Sequence, residues 1–573
     1  MSPAPSERRL FVSLMAILAA AYLCLYNGYW QPGGSDDAYY LSLARGLARG
    51  EGLKWQGVPV MDVPPLWPIV LAGLMKLTSS MAVINLAPLV FTWLAGGLWF
   101  GVLRRLTEAR RAFWIMLIVG LLYRWFADAI HAYSEGMFCF LAGAGLLLAM
   151  QIAEGRRLAW RAPLLLVICA AMVMTRWPGV FMFPVIGASL LKGELMPRLN
   201  RRWAVAIVSG LAVVGSYYGT RWLLHRPLEK AVAKTRQEAA ALAQEDRRLE
   251  RMIDQPTKTY IQRGLNGGTW LAGLFWPPME MGSFGNGIVH AVNVLGWVLL
   301  ALVLVRVGWG AGQRDWIWLG LLVYVGSFIV MWPKPVGRYM VPAAPLLVLA
   351  VWSAAERIAR WWTWRPLVVA CRWGTGLFLA SLVACNLPIW GISAFVARSP
   401  RFHELYLAGE YRAYSDLAAL AARVNADDDD VVTVRGDKRT GSLRNYRFLQ
   451  RMYTWMTDRD MPLLPAKQIR FYASTSPSSR AATTSASRPG TKPSTTAATT
   501  RRRAAAWRYY VHRPAEQPQR MWHLTQSWLE SLTGAKASGR AGRYLEVYEK
   551  KGERLVKVAL PADAAPLSRV PGL

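Results

Sequence analysis

Long uncharged apolar runs recur through the first 390 residues, and the short loops between them are rich in arginine. That alternation restricts the chain more than any single motif. A bilayer core is about 30 Å thick, so a helix needs about 20 apolar residues to cross it. Of the 573 residues, 54% are hydrophobic, with 28 Trp and 22 Tyr. A soluble domain would struggle to hide that surface. The pattern predicts a mainly α, polytopic transmembrane helical bundle.

Eleven spans are expected, near 10–30, 82–103, 112–130, 135–153, 162–175, 177–192, 203–222, 288–306, 315–332, 339–356 and 366–388. Arg8 and Arg9 precede the first. Arg104, Arg105, Arg110 and Arg111 follow the second, Arg156, Arg157 and Arg161 the fourth, and Lys192, Arg198, Arg201 and Arg202 the sixth. Arg306 and Arg314 follow the eighth, and Arg357, Arg360 and Arg365 the tenth. Basic residues gather in short cytoplasmic loops. The expected N-terminus is therefore cytoplasmic, and everything after the eleventh span lies outside. Segment 64–78 must not cross, because crossing would turn the Arg104–Arg111 loop outward. It reads as an interfacial or re-entrant helix opened by Pro64 and Pro65.

The net charge of +32 raises the question of nucleic acid. Much of that charge sits in the loops between spans, where it orients the chain and favours anionic membrane lipids. No nucleic-acid motif accompanies it. Cys24, Cys139, Cys169, Cys371 and Cys385 all fall in or beside apolar spans and read as small buried apolar residues.

Two outer loops are long. In the first, Ser35, Asp36 and Asp37 suit a helix start, and Gly50 and Gly52 suit its stop. Tyr40, Leu43, Ala44 and Leu47 share a face, which predicts an amphipathic helix on the membrane surface. The second loop, 223–287, holds a charged helical stretch. It ends in an aromatic segment around Trp270 and Phe275–Pro278 that suits the headgroup layer. Residues 396–573 predict a small extracytoplasmic α/β domain. Its expected strands are 431–435, 467–473, 507–512, 544–549 and 554–560, and its expected helices 411–424 and 518–532. A Ser/Thr/Ala-rich tract, 474–503, reads as disordered. Two domains result: a transmembrane domain over 1–395 and the outer domain over 396–573.

Charged residues at the outer border carry the functional signal. Asp36 and Asp37 stand where a span leaves the bilayer. Capping accounts for one of them, but an ionised carboxylate there can also take a proton from an acceptor hydroxyl or amine. Glu135 opens span four in His131-Ala132-Tyr133-Ser134-Glu135-Gly136. It fits either a favourable end-charge on that helix or a site role. Histidine 131 reads as interfacial. Arg176 and Arg338 are basic residues on the normally non-basic side. Either they snorkel to headgroups, or they clamp a lipid-linked phosphate. The topology, fixed from cytoplasmic arginines, places Asp36, Asp37, Glu135, Arg176 and Arg338 on one face. Acids and arginines at one border suit a reaction on a phosphate-bearing lipid. There is no H-E-x-x-H, C-x-x-C or Walker loop. No protein metal cage is evident, while a divalent cation shared by carboxylates and substrate phosphate stays open.

Asp36-Asp37-x-Tyr39, Gly50-Glu51-Gly52 and Pro64-Pro65-Leu66 resemble the first outer loop of GT-C class glycosyltransferases, within the protein O-mannosyltransferase and aminoarabinose transferase superfamily. Ser134-Glu135, Thr175-Arg176-x-x-Gly179 and Arg338-Tyr339-x-x-Pro342-x-x-Pro345 resemble later segments of that family. The resemblance covers roughly 10–390. Some members carry Lys directly before Pro-Pro-Leu, where this chain has Asp62-Val63. The family implies transfer of a sugar from a polyprenyl-phosphate donor to a lipid or protein acceptor on the outer face. It also implies a catalytic acid at Asp36 and a basic residue near the donor phosphate at Arg338. On this reading Asp37 and Glu135 are expected to support Asp36, and Arg176 and Tyr339 to join Arg338 at the phosphate. The expected location is an inner (cell) membrane of bacterial type. A transporter or lipid flippase is the alternative; it calls for ionisable groups at mid-membrane depth and inverted repeats. A scaffold whose outer domain binds partners is a third reading.

Overall fold

The computed structural model describes residues 5–26, 35–55, 58–60, 63–127, 129–154, 158–190, 271–276, 286–308, 316–331, 337–361 and 364–398, together with four strands beyond residue 430. The described part of 1–398 is almost wholly helical. Its helices are α1 (Pro5–Leu25), α2 (Ser35–Ala48), α3 (Leu66–Leu77), α4 (Met81–Leu106), α5 (Ala109–Gly120), α6 (Tyr123–Ala127), α7 (Glu135–Ala153) and α8 (Leu158–Thr175). A 3-10 turn (Trp177–Met182) leads into α9 (Phe183–Leu190). Then come α10 (Asn286–Gly308), α11 (Trp316–Met331), a second 3-10 segment (Gly337–Ala343), α12 (Ala344–Trp361) and α13 (Arg365–Arg398).

Among the described residues, five helical stretches are long and apolar enough to cross a membrane: Pro5–Leu25, Met81–Leu106, Glu135–Ala153, Arg338–Trp361 and Arg365–Phe395. Their outer faces expose Phe11, Val12, Val90, Val369 and Leu377. Such apolar surface is rare on water-facing proteins and ordinary on lipid-facing ones. The chain is an integral membrane protein. The expected spans at 162–175, 177–192, 288–306 and 315–332 correspond to α8, the Trp177–Leu190 stretch, α10 and α11. The span at 112–130 is broken into α5 and α6 at Leu121 and Leu122. Asn386 of α13 fills the break: its Oδ1 accepts the Tyr123 N–H at 2.8 Å, and its Nδ2 donates to Phe275 O at 2.8 Å. A buried asparagine that satisfies freed backbone groups is what makes a broken helix tolerable in apolar surroundings. The expected span at 203–222 and the charged stretch after it lie outside the described residues.

α3 has 12 residues, about 18 Å of helix, too short to cross. It begins at Leu66 with Pro65 as its N-cap, one to two residues later than the expected first-turn place of Pro64 and Pro65. Trp67, Leu71 and Met75 are buried, and Trp67 Nε1 donates to Ala132 O at 2.9 Å, tying α3 to the turn before α7.

α2 departs from expectation. Rather than lying on the membrane, it is enclosed by protein, with Ala38, Leu41, Leu43 and Ala44 fully buried and Arg45 nearly so. It has two apolar faces. Ala38, Leu41 and Ala44 join the main core, while Tyr39 and Leu43 meet Val60, with Leu53 and Trp55 alongside. The second face is covered by a small antiparallel pair, β1 (Lys54–Trp55) and β2 (Val58–Pro59). Gly50 and Gly52, at φ 80° and 85°, reverse the chain between helix and hairpin. Of the aromatic segment around Trp270 and Phe275–Pro278, residues 271–276 are described and pack within the protein. Phe275 and Trp276 are buried, and Trp276 Nε1 donates to Ser381 Oγ at 3.1 Å.

The core centres on α4 crossing α7. Trp99 Nε1 donates to Cys139 O at 3.0 Å. At Gly136 the backbones come so close that a Cβ would meet Thr92 Oγ1 and lie 2.7 Å from Pro88 O. Small residues permit such contact in membrane bundles. Gly136→Ala is expected to lower stability by about 1–3 kcal/mol through overpacking. Thermal melting of the detergent-purified variant checks this, and an unchanged melt would place the helices farther apart.

At the end of the bundle holding the loop arginines, three ion pairs join helix ends: Arg104–Glu7 (3.0 Å), Arg105–Glu154 (3.1 Å) and Arg111–Glu356 (2.8 Å). Beyond residue 430, β3 (Val431–Arg435), β4 (Trp507–His512), β5 (Glu546–Lys551) and β6 (Arg554–Val558) form one sheet in that order. β3 runs parallel to β4, and the other pairs are antiparallel. The expected strand at 467–473, both expected helices of this region and the 474–503 tract lie outside the described residues.

Candidate active site

Four segments far apart in sequence meet at one end of the bundle. α2 brings Asp36 and Asp37 in its first turn, and α7 brings Glu135 in its own. The partial positive charge of a helix N-terminus favours a carboxylate at each place. Arg176 follows the last residue of α8, where the partial negative charge of a helix C-terminus favours a cation. It sits in extended conformation (φ −154°, ψ 131°) as the chain turns into the 3-10 segment. Gly179 makes this reversal possible, because a Cβ there would lie 2.8 Å from Met172 O. Arg338 comes from the 3-10 segment that precedes α12.

Arg338 joins the two acids. Its Nη2 is 2.7 Å from Asp36 Oδ2, and its Nε is 3.5 Å from Glu135 Oε1. Arg176 Nη1 pairs with the same Glu135 oxygen and lies 3.4 Å from Ser134 Oγ. Ser134 Oγ in turn is 3.5 Å from Tyr40 Oη. Both guanidinium groups stack on Tyr339, at 4.8 Å for Arg176 and 5.4 Å for Arg338, and Arg338 also faces Tyr133 at 5.4 Å. Aromatic faces hold a cation without consuming its hydrogen-bond donors.

Exposure separates the two carboxylates. The Asp36 side chain is 36% exposed and that of Glu135 is 4% exposed. A substrate can reach Asp36, whereas Glu135 is enclosed and serves both arginines. Glu135 Oε2 has no hydrogen-bond partner among the described residues. Asp37 is fully buried, its Oδ1 accepting the Ala38 N–H at 2.9 Å. Burial, the largest influence, would lower the Arg176 pKa, but Glu135, Tyr40 and Tyr339 together hold the guanidinium above its ordinary value. Burial raises the Tyr40 phenol, with Arg176 pulling the other way, so Tyr40 stays a neutral hydroxyl at ordinary pH.

The structure thus gathers Asp36, Glu135, Arg176, Arg338 and Tyr339, and encloses Asp37 in α2. It adds Tyr40, Ser134 and Tyr133, for which the sequence pattern suggested no chemical role. Ser134 stands directly before an acid that opens a span, a signal that was readable. The contacts of Tyr40 and Tyr133 are set only by tertiary packing. Among the described residues no group of three or more His, Cys, Asp or Glu side chains is gathered to hold a metal ion. Two charges of each sign confront one another here. Arg338 is the point where the accessible acid meets the enclosed one.

No known family's sequence pattern matches the chain, and no curated protein matches it. Among solved structures it is similar to ArnT from Cupriavidus metallidurans bound to undecaprenyl phosphate, at 12% identity and a TM-score of 0.48, over 95% of this chain and 98% of that one. It is also similar to the archaeal oligosaccharyltransferase AglB from Archaeoglobus fulgidus in complex with an inhibitory peptide and a dolichol-phosphate. That match has 12% identity and a TM-score of 0.47, over 89% of this chain and 70% of that one. The arabinosyltransferase EmbB from Mycobacterium smegmatis is similar at 17% identity and a TM-score of 0.38, over 81% of this chain and 39% of that one. These solved structures are GT-C glycosyltransferases.

Proposed function

We propose that this protein is an integral-membrane glycosyltransferase that moves a sugar from a polyprenyl-phosphate donor to a lipid or protein acceptor at the outer membrane border. The observation that carries this reading is Arg338 bridging the accessible Asp36 and the enclosed Glu135. The acceptor hydroxyl or amine attacks the anomeric carbon and gives its proton to Asp36. The carbon–oxygen bond to phosphate breaks, and its electron pair leaves with polyprenyl phosphate. Arg338 and Arg176 neutralise the charge that grows on the leaving oxygen. A phosphate leaving group needs that stabilisation more than it needs a proton. In-line displacement inverts the anomeric centre.

Glu135 acts in this scheme as a positioning residue, holding both guanidinium groups in place. Asp37 supports the first turn of α2 from its buried position. Asp36 is the accessible carboxylate that would hold a divalent cation, which would supply charge neutralisation to the donor phosphate. In the topology proposed, the N-terminus is cytoplasmic in a bacterial-type inner membrane. Residues 1–395 form the transferase domain, and 396–573 form an extracytoplasmic domain. The test is incubation of the purified full chain with a panel of radiolabelled polyprenyl-phosphate sugars. Release or transfer of label from at least one donor is expected. A panel that stays intact, with polyprenyl phosphate moving between leaflets instead, would favour a flippase.

A further inference from the structure

A second charged cleft lies between α12 and α13, far from the candidate active site. From Arg338 to Glu356 the chain rises through most of a 3-10 segment and more than three turns of α-helix, roughly 30 Å. The cleft therefore opens at the opposite face of the membrane. Its volume is 440 Å³, and its walls include Trp352, Ala355, Glu356, Arg360, Arg372 and Gly376.

The charges in this cleft do not cancel. Glu356 is already satisfied by Arg111, with Nη2 to Oε1 at 2.8 Å and Nη1 to Oε2 at 3.0 Å, while Trp352 Nε1 donates to Oε1 at 2.9 Å. Arg111 also stacks on Trp352 at 5.0 Å. That leaves Arg360, 3.7 Å from Glu356 Oε2 and 75% exposed, as surplus positive charge. Arg372 forms no ion pair with any described residue. It lies seven residues into α13, roughly 10 Å below the start of that helix. The neighbouring Trp373 and Leu377 are exposed, as lipid-facing residues are. A cation at that depth on a lipid-facing helix is costly without an anion.

We propose that this cleft binds the phosphate headgroup of an anionic diacyl phospholipid from the leaflet opposite the candidate active site. Arg372 and Arg360 hold the phosphate, and the acyl chains lie along α13 beside Trp373 and Leu377. Basic pockets between membrane helices suit such headgroups. A lipid is the fitting source because Arg372 lies on a helix whose exposed neighbours are apolar. The bound lipid would brace the α12–α13 pair from one membrane face while the site works at the other.

The test is native mass spectrometry of the full-length protein titrated with phosphatidylglycerol and with phosphatidylcholine of the same chains. Phosphatidylglycerol should be retained preferentially. Arg372→Gln and Arg360→Gln should each reduce that preference about five-fold. Arg365→Gln, a basic residue outside the cleft, should leave it unchanged. Using two cleft variants keeps the test open should one fail to fold. Equal retention of the two lipids, or equal loss from Arg365→Gln, would overturn the proposal in favour of diffuse attraction. Displacement by inorganic phosphate alone would overturn it in favour of a soluble anion.

Discussion

Asp36→Asn is expected to reduce sugar transfer about 10³-fold while leaving the protein folded and inserted. The substitution keeps the shape of the side chain and removes its capacity to accept a proton. Its carboxylate is the more exposed of the two on Arg338. Arg338 would still face Glu135 and the rings of Tyr133 and Tyr339. The loss should therefore fall on turnover rather than on stability. Radiolabel transfer with purified variant and wild type measures the first, and thermal melting the second. Transfer within a few-fold of wild type would remove Asp36 from the base role.

Glu135→Ala should have the opposite profile, with stability lost first. Removing this carboxylate leaves two guanidinium groups facing one another, and the Arg176 side chain is only 8% exposed. Breaking a buried pair by deleting one partner typically costs about 3–5 kcal/mol, because the remaining charge keeps its desolvation penalty. Thermal or denaturant unfolding in detergent reads this directly. The double variant Glu135→Ala/Arg176→Gln should recover part of the loss, since the stranded charge goes too. An unchanged melt for the single variant would mean that water or lipid already screens the cluster.

The sequence carried the helical architecture well where periodicity and length decide. The start of α7 at Glu135, the stop of α2 before Gly50 and the short α3 were all legible. The membrane-surface placement of α2 failed for a physical reason. Tyr39 and Leu43 form a second apolar face, which marks burial on two sides rather than one. Hydropathy could not foresee the break in the 112–130 span, because the backbone partner at that break comes from Asn386. At the candidate site, Arg176 and Arg338 stood out as basic residues on the side expected to be non-basic, and Asp36 and Glu135 as acids at helix starts. Their pairing was not legible, nor was the difference in burial between Asp36 and Glu135. Both depend on how the two 3-10 segments deliver their arginines.

Polyprenyl-phosphate binding to wild type, Asp36→Asn and Arg338→Gln tests the central arrangement most directly. If Asp36 and the incoming phosphate compete for Arg338, the Asp36→Asn protein binds polyprenyl phosphate at least as tightly as wild type, and Arg338→Gln binds it at least ten-fold more weakly, the loss expected from a charge-assisted contact of about 1.5–3 kcal/mol. Equal weakening by both substitutions, or none by Arg338→Gln, would contradict a phosphate site on this arginine.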